Sequence, residues 1–478
     1  MPSRLAGLAL ALSLTVAAPL SAAAQAAPAT VITGATLVHP SKSGADALEP
    51  DATVVIQDER ITYAGSGRAA KMPPGSTVID GRGKFVIPGL VDSHVHFFQS
   101  GNLYTRPDVA DFNAVVPYAQ EVARNKAWLD ATFRVWLANG VTGVADVGGP
   151  FWNYDVRDRA AATAAAPRMV VAGPLISMVD RPQLDLGDPP IIRIESREAA
   201  RALIARELER DPDFIKVWFI HRPGDDLAAQ EAIVKAAGDA AHAAGKRLAV
   251  HATELVTAKA ALRAGADLLV HSVFDAPVDD EFIALMKKNG ALYCPTLYVM
   301  GGYALALTGQ WQATPEERTG ADPEILAAMD DLTEIPPEKI PERVAKAMAA
   351  KKPVEPPAVA MANLRKLEDA GIPVVMGTDA GNIGTLHGPS IFREMRMMAE
   401  AGLTPLQVLR SATFTAARTM GLEGRTGEIE AGKLGDLVIL DANPLEDVGN
   451  LAKVHRTIKA GVVYDPADLM KSLEAARE

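Results

Sequence analysis

Two histidines that follow a short apolar stretch are the first side chains in this sequence that could do chemistry. Residues 86–96 pass through Pro88 and Gly89 and end in His94 and His96. Side chains alternate across a strand, so Asp92, His94 and His96 are expected on one face. Two imidazoles at the end of a strand are typical of half a metal site. The alternative is a chance pair of histidines on a surface strand.

Four more polar residues stand where an apolar stretch ends. They are Lys216, His251, His271 and Asp379. A buried lysine is costly unless it is paired or neutral, so Lys216 is either a salt-bridged core lysine or an amine of low pKa. Such an amine can react with CO2, and the carbamate is an anionic ligand able to bridge two metals. Each histidine alone could be a core residue, and Asp379 alone could be a helix cap or turn residue.

Taken together, these side chains predict a binuclear metal site. Two cations about 3.5–4 Å apart can share a hydroxide, lower its pKa and polarise a substrate carbonyl. Imidazole and oxygen ligands suit zinc, with manganese or cobalt as substitutes. Asp379 could accept the proton of the attacking hydroxide and pass it to a leaving amine.

The elements that must position these residues follow a βα rhythm from residue 90 onward. Alternating apolar strands and amphipathic helices predict a parallel α/β fold, and eight such units predict a (β/α)8 TIM barrel. The predicted strands are 90–94, 141–146, 169–172, 214–219, 247–251, 268–271, 291–295 and 373–378. The predicted helices are 119–139, 196–210, 227–244, 256–264, 279–288, 389–401 and 405–419. The proposed site lies at the carboxyl ends of the strands, where barrels of this class keep their active sites.

Both ends of the chain have β character instead. Residues 27–87 and 425–478 are expected to form one small β-sandwich, with a barrel of residues 88–424 inserted between them. Residues 301–358 interrupt the rhythm and are rich in proline and charge. They predict either a lid over the barrel mouth or a surface excursion without a role.

Composition narrows the class of function. The 478-residue chain has a formal net charge of -11, which argues against nucleic acid and against an anionic membrane surface as partners. Residues 1–26 resemble a secretory signal with Arg4, an apolar run and small residues before a cleavage site after Ala24 or Ala26. We expect an exported protein, periplasmic or secreted, without a membrane span. The single cysteine, Cys294, permits no intramolecular disulfide.

The combined motifs resemble the amidohydrolase superfamily, in its imidazolonepropionase-like and prolidase-like branch. The resemblance rests on residues 88–96, 214–217, 250–251, 270–272, 377–381, 401–405, 411–413 and 427–440. It implies that His94, His96 and Asp379 hold one metal ion and that His251 and His271 hold the second. It further implies that Lys216, N-carboxylated by CO2, bridges the two ions.

The leading hypothesis is an exported hydrolase that cleaves the amide bond of a dipeptide or N-acyl amino acid with a free carboxylate. Residues predicted near the substrate are His387, His221, Arg222 and Tyr298, although a loop histidine and a solvated arginine are open alternatives for His387 and Arg222. Two other hypotheses stay open at this point. One is a mononuclear deaminase or a hydrolase of cyclic amides, lactones or organophosphates, and the other is a non-enzymatic barrel that binds small molecules. The sequence also allows a homo-oligomer.

Overall fold

Five strands form the N-terminal part of the fold. The computed structural model describes residues 28–350 and 352–475, so the predicted signal segment lies outside the described residues. The strands are β1 (Thr30–Val38), β2 (Leu48–Gln57), β3 (Arg60–Ser66), β4 (Thr77–Asp80) and β5 (Phe85–Pro88). Strand β1 pairs antiparallel with β2 and parallel with β4 and β5. Its β-branched residues suit a buried pleated surface, and Val31 and Ile32 are fully buried.

A second series of strands begins at Leu90 and is parallel throughout. It comprises β6 (Leu90–Val95), β7 (Val141–Asp146), β8 (Arg168–Val171), β9 (Leu175–Ser177), β10 (Ile191–Arg193), β11 (Phe214–Trp218), β12 (Arg247–His251), β13 (Leu268–Val270) and β14 (Leu292–Cys294). One sheet has the order β6-β7-β8 and the other β10-β9-β11-β12-β13-β14. Seven predicted strands are present; the short β9 and β10 were not predicted.

Helices alternate with these strands and cover the sheets. They are α1 (Tyr118–Ala127), α2 (Leu129–Ala138), α3 (Asn153–Ala162), α4 (Arg197–Leu208), α5 (Leu227–Ala243), α6 (Leu255–Arg263) and α7 (Asp280–Asn289). Side-chain caps from Ser196, Asp226 and Asp279 begin α4, α5 and α7. The single helix predicted for residues 119–139 is two helices, because the backbone leaves helical geometry at Trp128 (φ -102°, ψ 14°).

The eighth predicted strand is a bridging segment. Val375 N–H donates to the Tyr293 carbonyl of β14, while Ser93 N–H of β6 donates to the Met376 carbonyl. Asp379 N–H then donates to the His94 carbonyl at 2.7 Å. The segment thus joins the two parallel sheets and places Asp379 beside the end of β6.

The described part of residues 299–411 adds seven α-helices. They are α8 (Val299–Leu307), α9 (Pro315–Gly320), α10 (Pro323–Ala327), α11 (Glu342–Ala350), α12 (Ala358–Asp369), α13 (Ser390–Glu400) and α14 (Pro405–Ser411). The first part of the predicted insertion has an apolar core, in which Ile325 and Leu332 pack with Leu103, Phe112 and Ile383. Residues 301–335 are therefore a packed wall of the molecule, whereas α11 buries only Val344.

The C-terminal strands return to the first sheet. Strands β15 (Leu437–Leu440), β16 (Val454–Lys459) and β17 (Val462–Tyr464) extend it to the order β17-β16-β15-β5-β1-β2-β3, with β4 beside β1. Both ends of the chain thus build one continuous sheet, where a two-layer sandwich was predicted. Helix α15 (Pro466–Ala475) packs against α2 through Leu469 and Leu473. Within the described residues, no helix has the length and apolar character needed to cross a bilayer.

Candidate metal centre

All six predicted metal ligands lie at the carboxyl ends of the parallel strands and line one cavity. They are His94, His96, Lys216, His251, His271 and Asp379. His271 and Asp379 have left-handed backbone conformations, with φ of +74° and +64°. Such conformations cost non-glycine residues of order 1–3 kcal/mol and cluster at functional sites. The strained backbone conformations thus occur at two residues whose side chains face the cavity.

Three of these side chains form a tight triangle. His94 Nε2 lies 3.2 Å from His96 Nε2. Asp379 Oδ1 lies 3.3 Å from His94 Nε2 and 3.0 Å from His96 Nε2. Two ligand atoms bound to one zinc ion are roughly 2.9–3.5 Å apart, given metal–ligand distances of about 2.0–2.2 Å. The triangle therefore has the dimensions of one face of a metal coordination shell.

The protonation states of these groups also suit a cation. His96 Nδ1–H donates to the Gly148 carbonyl at 2.6 Å, which leaves the Nε2 lone pair facing the triangle. Burial lowers the pKa of His94 well below its usual value, so the ring is neutral. Burial alone would raise the pKa of Asp379, but the neighbouring His96, His271 and Lys216 hold it below its usual range. Asp379 Oδ1 is buried and lacks a well-formed hydrogen bond.

The second half of the site contains Lys216, His251 and His271. The rings of His251 and His271 are 4.4 Å apart, and those of His94 and His271 are 4.8 Å apart. Ligand atoms of His94, His271 and Asp379 all lie within 4.8 Å of one another. Burial lowers the pKa of both His251 and His271 well below the usual value. The two halves therefore adjoin, and neutral imidazoles face both.

Lys216 is the least expected side chain among the six predicted ligands. Its side chain is 1% exposed, and burial lowers its pKa to about 7. No hydrogen bond or salt bridge joins its amine to any residue in the described part of the chain, so the salt-bridged core lysine is not what the fold builds. Attraction to Asp379 opposes the effect of burial, and with a pKa of about 7 a large part of the amine is neutral and nucleophilic near neutral pH.

Two buried carboxylates hold the ligand-bearing strands in place. Asp92 accepts hydrogen bonds from the backbone N–H of His94 and of Thr378 and from the Thr378 hydroxyl. Asp146 accepts from Phe97 N–H, Gly148 N–H and Asn153 Nδ2. Asp92 was expected to share a face with the histidines, and its role is to tie β6 to the Asp379 segment.

The cavity above these ligands has a volume of about 630 Å³. Its walls are mainly apolar, and helices α8 and α11 supply one side of them. Apolar wall residues include Phe98, Leu175, Leu184, Ile191, Trp218, Phe274, Val299, Leu307 and Val344. An apolar cavity with a few polar groups converging at one end is the usual form of a small-molecule site.

A polar cluster in the same cavity was missed by the sequence analysis. Arg106 makes two hydrogen bonds to Asp108, at 2.7 Å each, and its Nη1 donates to Tyr303 and Asn382. Arg181 lies 4.8 Å over the ring of Trp218. These residues come from loops and from α8, and no strand-end pattern marks them in the sequence.

The four side chains predicted to contact substrate lie elsewhere. His387 is buried between Phe97 and Trp136 and donates to the Gln99 carbonyl at 2.9 Å. Tyr298 is buried and accepts from Trp311 Nε1. His221 bonds Gln230, and Arg222 is exposed on the loop after β11. None of the four lines the cavity.

The fold and the site together define an α/β protein with a possible His/Asp metal-binding cluster, and comparison with known proteins gives its family. The chain belongs to the Amidohydrolase family, whose profile matches residues 85–464. Members of this family are hydrolases that act on C–N bonds and generally use metal ions. The prediction of the superfamily from the sequence motifs is confirmed.

Individual relatives are distant but extend over most of the chain. An imidazolonepropionase of Sphingopyxis alaskensis is 25% identical over 426 residues, which are 86% of this chain and 92% of the relative. An ochratoxinase of Aspergillus niger is 24% identical over 432 residues, 83% of this chain and 79% of the relative. A prolidase solved with N-methylphosphonate-L-proline has a TM-score of 0.66 and 26% identity, covering 91% of this chain and 99% of the prolidase.

Proposed function

We propose that this protein is a binuclear metal-dependent hydrolase that cleaves the amide bond of a dipeptide or N-acyl amino acid. The proposal rests above all on the His94–His96–Asp379 triangle, with edges of 3.0–3.3 Å, on the floor of a large cavity. The prolidase among the structural relatives supports the substrate class. We also propose that the two parallel sheets and the bridging segment close into the eight-stranded barrel predicted from the sequence.

The surroundings of the six residues support different roles in metal binding. His94, His96 and Asp379 would hold one divalent cation, His251 and His271 the second, and carboxylated Lys216 would bridge them. Bound zinc would supply Lewis acidity and lower the pKa of a bound water. Lys216 is suited to carboxylation because only a neutral amine attacks CO2, and burial lowers the pKa of this amine to about 7, so that a large part of it is neutral at neutral pH.

Asp379 is the proposed proton carrier. Its pKa is held below the usual value, so the carboxylate is ionised at neutral pH and able to accept a proton. Its Oδ1 faces His94 and His96, whereas Oδ2 is 3.9 Å from His271 Nδ1. Oδ2 would accept the proton of the attacking water and deliver it to the leaving amine.

The buried lysine argues against the mononuclear alternative. A single-metal deaminase has no use for a buried amine between two groups of histidines. Glu254, an acid three residues after His251 that could serve a deaminase, precedes α6 and does not line the cavity. We therefore favour hydrolysis of an amide bond by a two-metal site over deamination by a single-metal site.

An assay with a panel of dipeptides and N-acyl amino acids tests the proposal. The zinc-loaded protein is expected to release free amino acid, and chelator treatment is expected to abolish the release until zinc is restored. Asp379→Asn should lose at least 100-fold in kcat, as expected for the loss of a general base. Turnover that survives both chelation and this substitution would refute the proposal.

A further inference from the structure

Arg181 stands apart from the other charged groups of the cavity. It follows β9, and its guanidinium lies 4.8 Å over the Trp218 ring. Trp218 ends β11, two residues after Lys216, and its ring meets that of His251 edge-on at 5.8 Å. Arg181 is therefore separated from the predicted ligands by a single aromatic ring, and stacking fixes the plane in which it can present its N–H groups.

Arg106 and Arg181 share one carboxylate. Arg106 takes both oxygens of Asp108 at 2.7 Å, and its remaining Nη1 is engaged by Tyr303 and Asn382. Arg181 Nε is left 3.4 Å from Asp108 Oδ2. Two guanidinium groups thus face one carboxylate that Arg106 already occupies, so the positive charge of Arg181 has no hydrogen-bonded ion pair among the described residues.

Arg181 also has hydrogen-bond donors that its guanidinium does not use within the described residues. Its Nη1 donates to the Asp180 carbonyl at 2.8 Å, while Nη2 makes no hydrogen bond among the residues that the structure describes. Its side chain is 25% exposed, so the guanidinium is largely desolvated but still reachable from the cavity. A partly desolvated cation with an unused donor is a strong site for an anion.

Trp218, over which Arg181 stacks, belongs to an apolar surface of the cavity. Leu175, Leu184 and Ile191 form one cluster against which Trp218 packs, and all four side chains line the cavity. A ligand group seated there would place an anion on Arg181 and apolar atoms against the cluster. An α-amino acid with a large apolar side chain has this arrangement of charge and surface.

We propose that Arg181 is a specificity-determining residue that binds the substrate carboxylate, and that the preferred substrates are N-acyl amino acids with bulky apolar side chains. This inference rests on the proposed amide hydrolysis. It assigns the carboxylate to Arg181 and not to Arg222, for which the sequence offered this role with a solvated arginine as the alternative, because Arg222 is exposed outside the cavity.

Two substrates that differ only in the carboxylate test the assignment. N-acetyl-L-phenylalanine and N-acetyl-2-phenylethylamine share the scissile amide and the ring. Arg181→Gln is expected to lower kcat/KM for the acid by about 10- to 100-fold, mainly through KM, because a hydrogen bond to a charged group is lost. The neutral amide should be affected less than 3-fold, and Arg181→Lys should retain part of the preference for the acid.

Arg222→Gln is the matched control, since it removes the same charge from the exposed neighbouring loop. An equal loss for both substrates in Arg181→Gln, no loss for either, or the same effect in Arg222→Gln would overturn the assignment. Calorimetric titration with N-acetyl-L-phenylalanine separates it from the proposed function. If the wild-type protein hydrolyses neither these two compounds nor any member of the panel, the amidase proposal fails. The role of Arg181 is then still tested by whether the wild type binds the acid at least 10-fold more tightly than Arg181→Gln.

Discussion

At the scale of single residues, Lys216 shows how a site can be built at the expense of stability. Burial lowers its pKa from 10.5 to about 7 in the folded chain. Between these pH values the unfolded chain binds a proton that the native chain does not. The metal-free native state is therefore destabilised most below pH 7, and the penalty fades as the pH rises towards 10.5.

Replacing this lysine by an apolar side chain of similar length should raise the free energy of unfolding by removing that penalty. We expect metal-free Lys216→Met to be more stable than the metal-free wild type by about 3 kcal/mol at pH 6.5, with a smaller difference at pH 9. Urea unfolding at the two pH values measures it. Equal stability of the two proteins at pH 6.5 would show that the lysine is paired in solution.

His387 gives a second prediction of pH dependence. Burial lowers its pKa to about 4, so the unfolded chain binds the additional proton between about pH 6.5 and pH 4. Stability should fall across this window as the pH falls, and His387→Gln should reduce the slope by up to about 1.4 kcal/mol per pH unit. Unfolding curves at pH 6.5, 5.5 and 4.5 test this; parallel curves for the two proteins would contradict it.

The sequence predicts the candidate ligands better than the substrate contacts, and the reason is physical. His94 and His96 end an apolar strand, where period-two alternation and the common rim of parallel strands fix the direction of a side chain. Arg106, Arg181 and Tyr303 reach the cavity from segments whose direction depends on tertiary packing. Charge and residue type alone could not separate Arg181 from Arg222.

At the scale of elements, the insertion is held by a buried ion pair. Glu317 of α9 is fully buried, and both of its oxygens accept from Arg393 of α13 at 2.6 Å. The Arg393 guanidinium also lies 5.0 Å from the Tyr298 ring. This anchoring favours a fixed wall for residues 301–335.

Breaking this pair from one side should loosen the insertion. We expect Glu317→Ala to cost about 3–5 kcal/mol, because Arg393 would remain buried without its carboxylate. Limited proteolysis should then cut within residues 301–340 before the rest of the chain. Glu342→Ala removes the exposed Lys346–Glu342 pair and is the control, with a cost below about 0.5 kcal/mol. Equal protease resistance of both variants would refute the anchor.

The sequence does not predict the boundaries of elements that lack a capping residue, a proline, a glycine or a long periodic pattern. Trp128 divides α1 from α2 without proline or glycine, and β9 and β10 have three residues each, too few for a periodic pattern. By contrast α4, α5 and α7 were predicted nearly to the residue because Ser196, Asp226 and Asp279 cap them. Local capping chemistry is visible in a sequence, whereas tertiary packing is not.

At the scale of the whole molecule, the predicted secretory signal leads to a proposal of export. We expect the protein to be found outside the cytoplasm with residues 1–24 or 1–26 removed. Cell fractionation followed by N-terminal sequencing measures this, and the mature chain should begin at Gln25 or Ala27. A cytoplasmic protein that retains Arg4 would contradict the proposal.

The central claim concerns six side chains that come from distant parts of the chain and meet in one cavity as a two-metal site. Its most direct test is the number of zinc ions bound per chain, measured by mass spectrometry after equilibrium dialysis. The account predicts about two ions for the wild type and for His242→Asn, which alters an exposed histidine of α5 outside the cavity. It predicts fewer than one for the combined substitution of His94 and His271 by alanine. A wild-type chain that binds no zinc, or a double variant that still binds two ions, would contradict it.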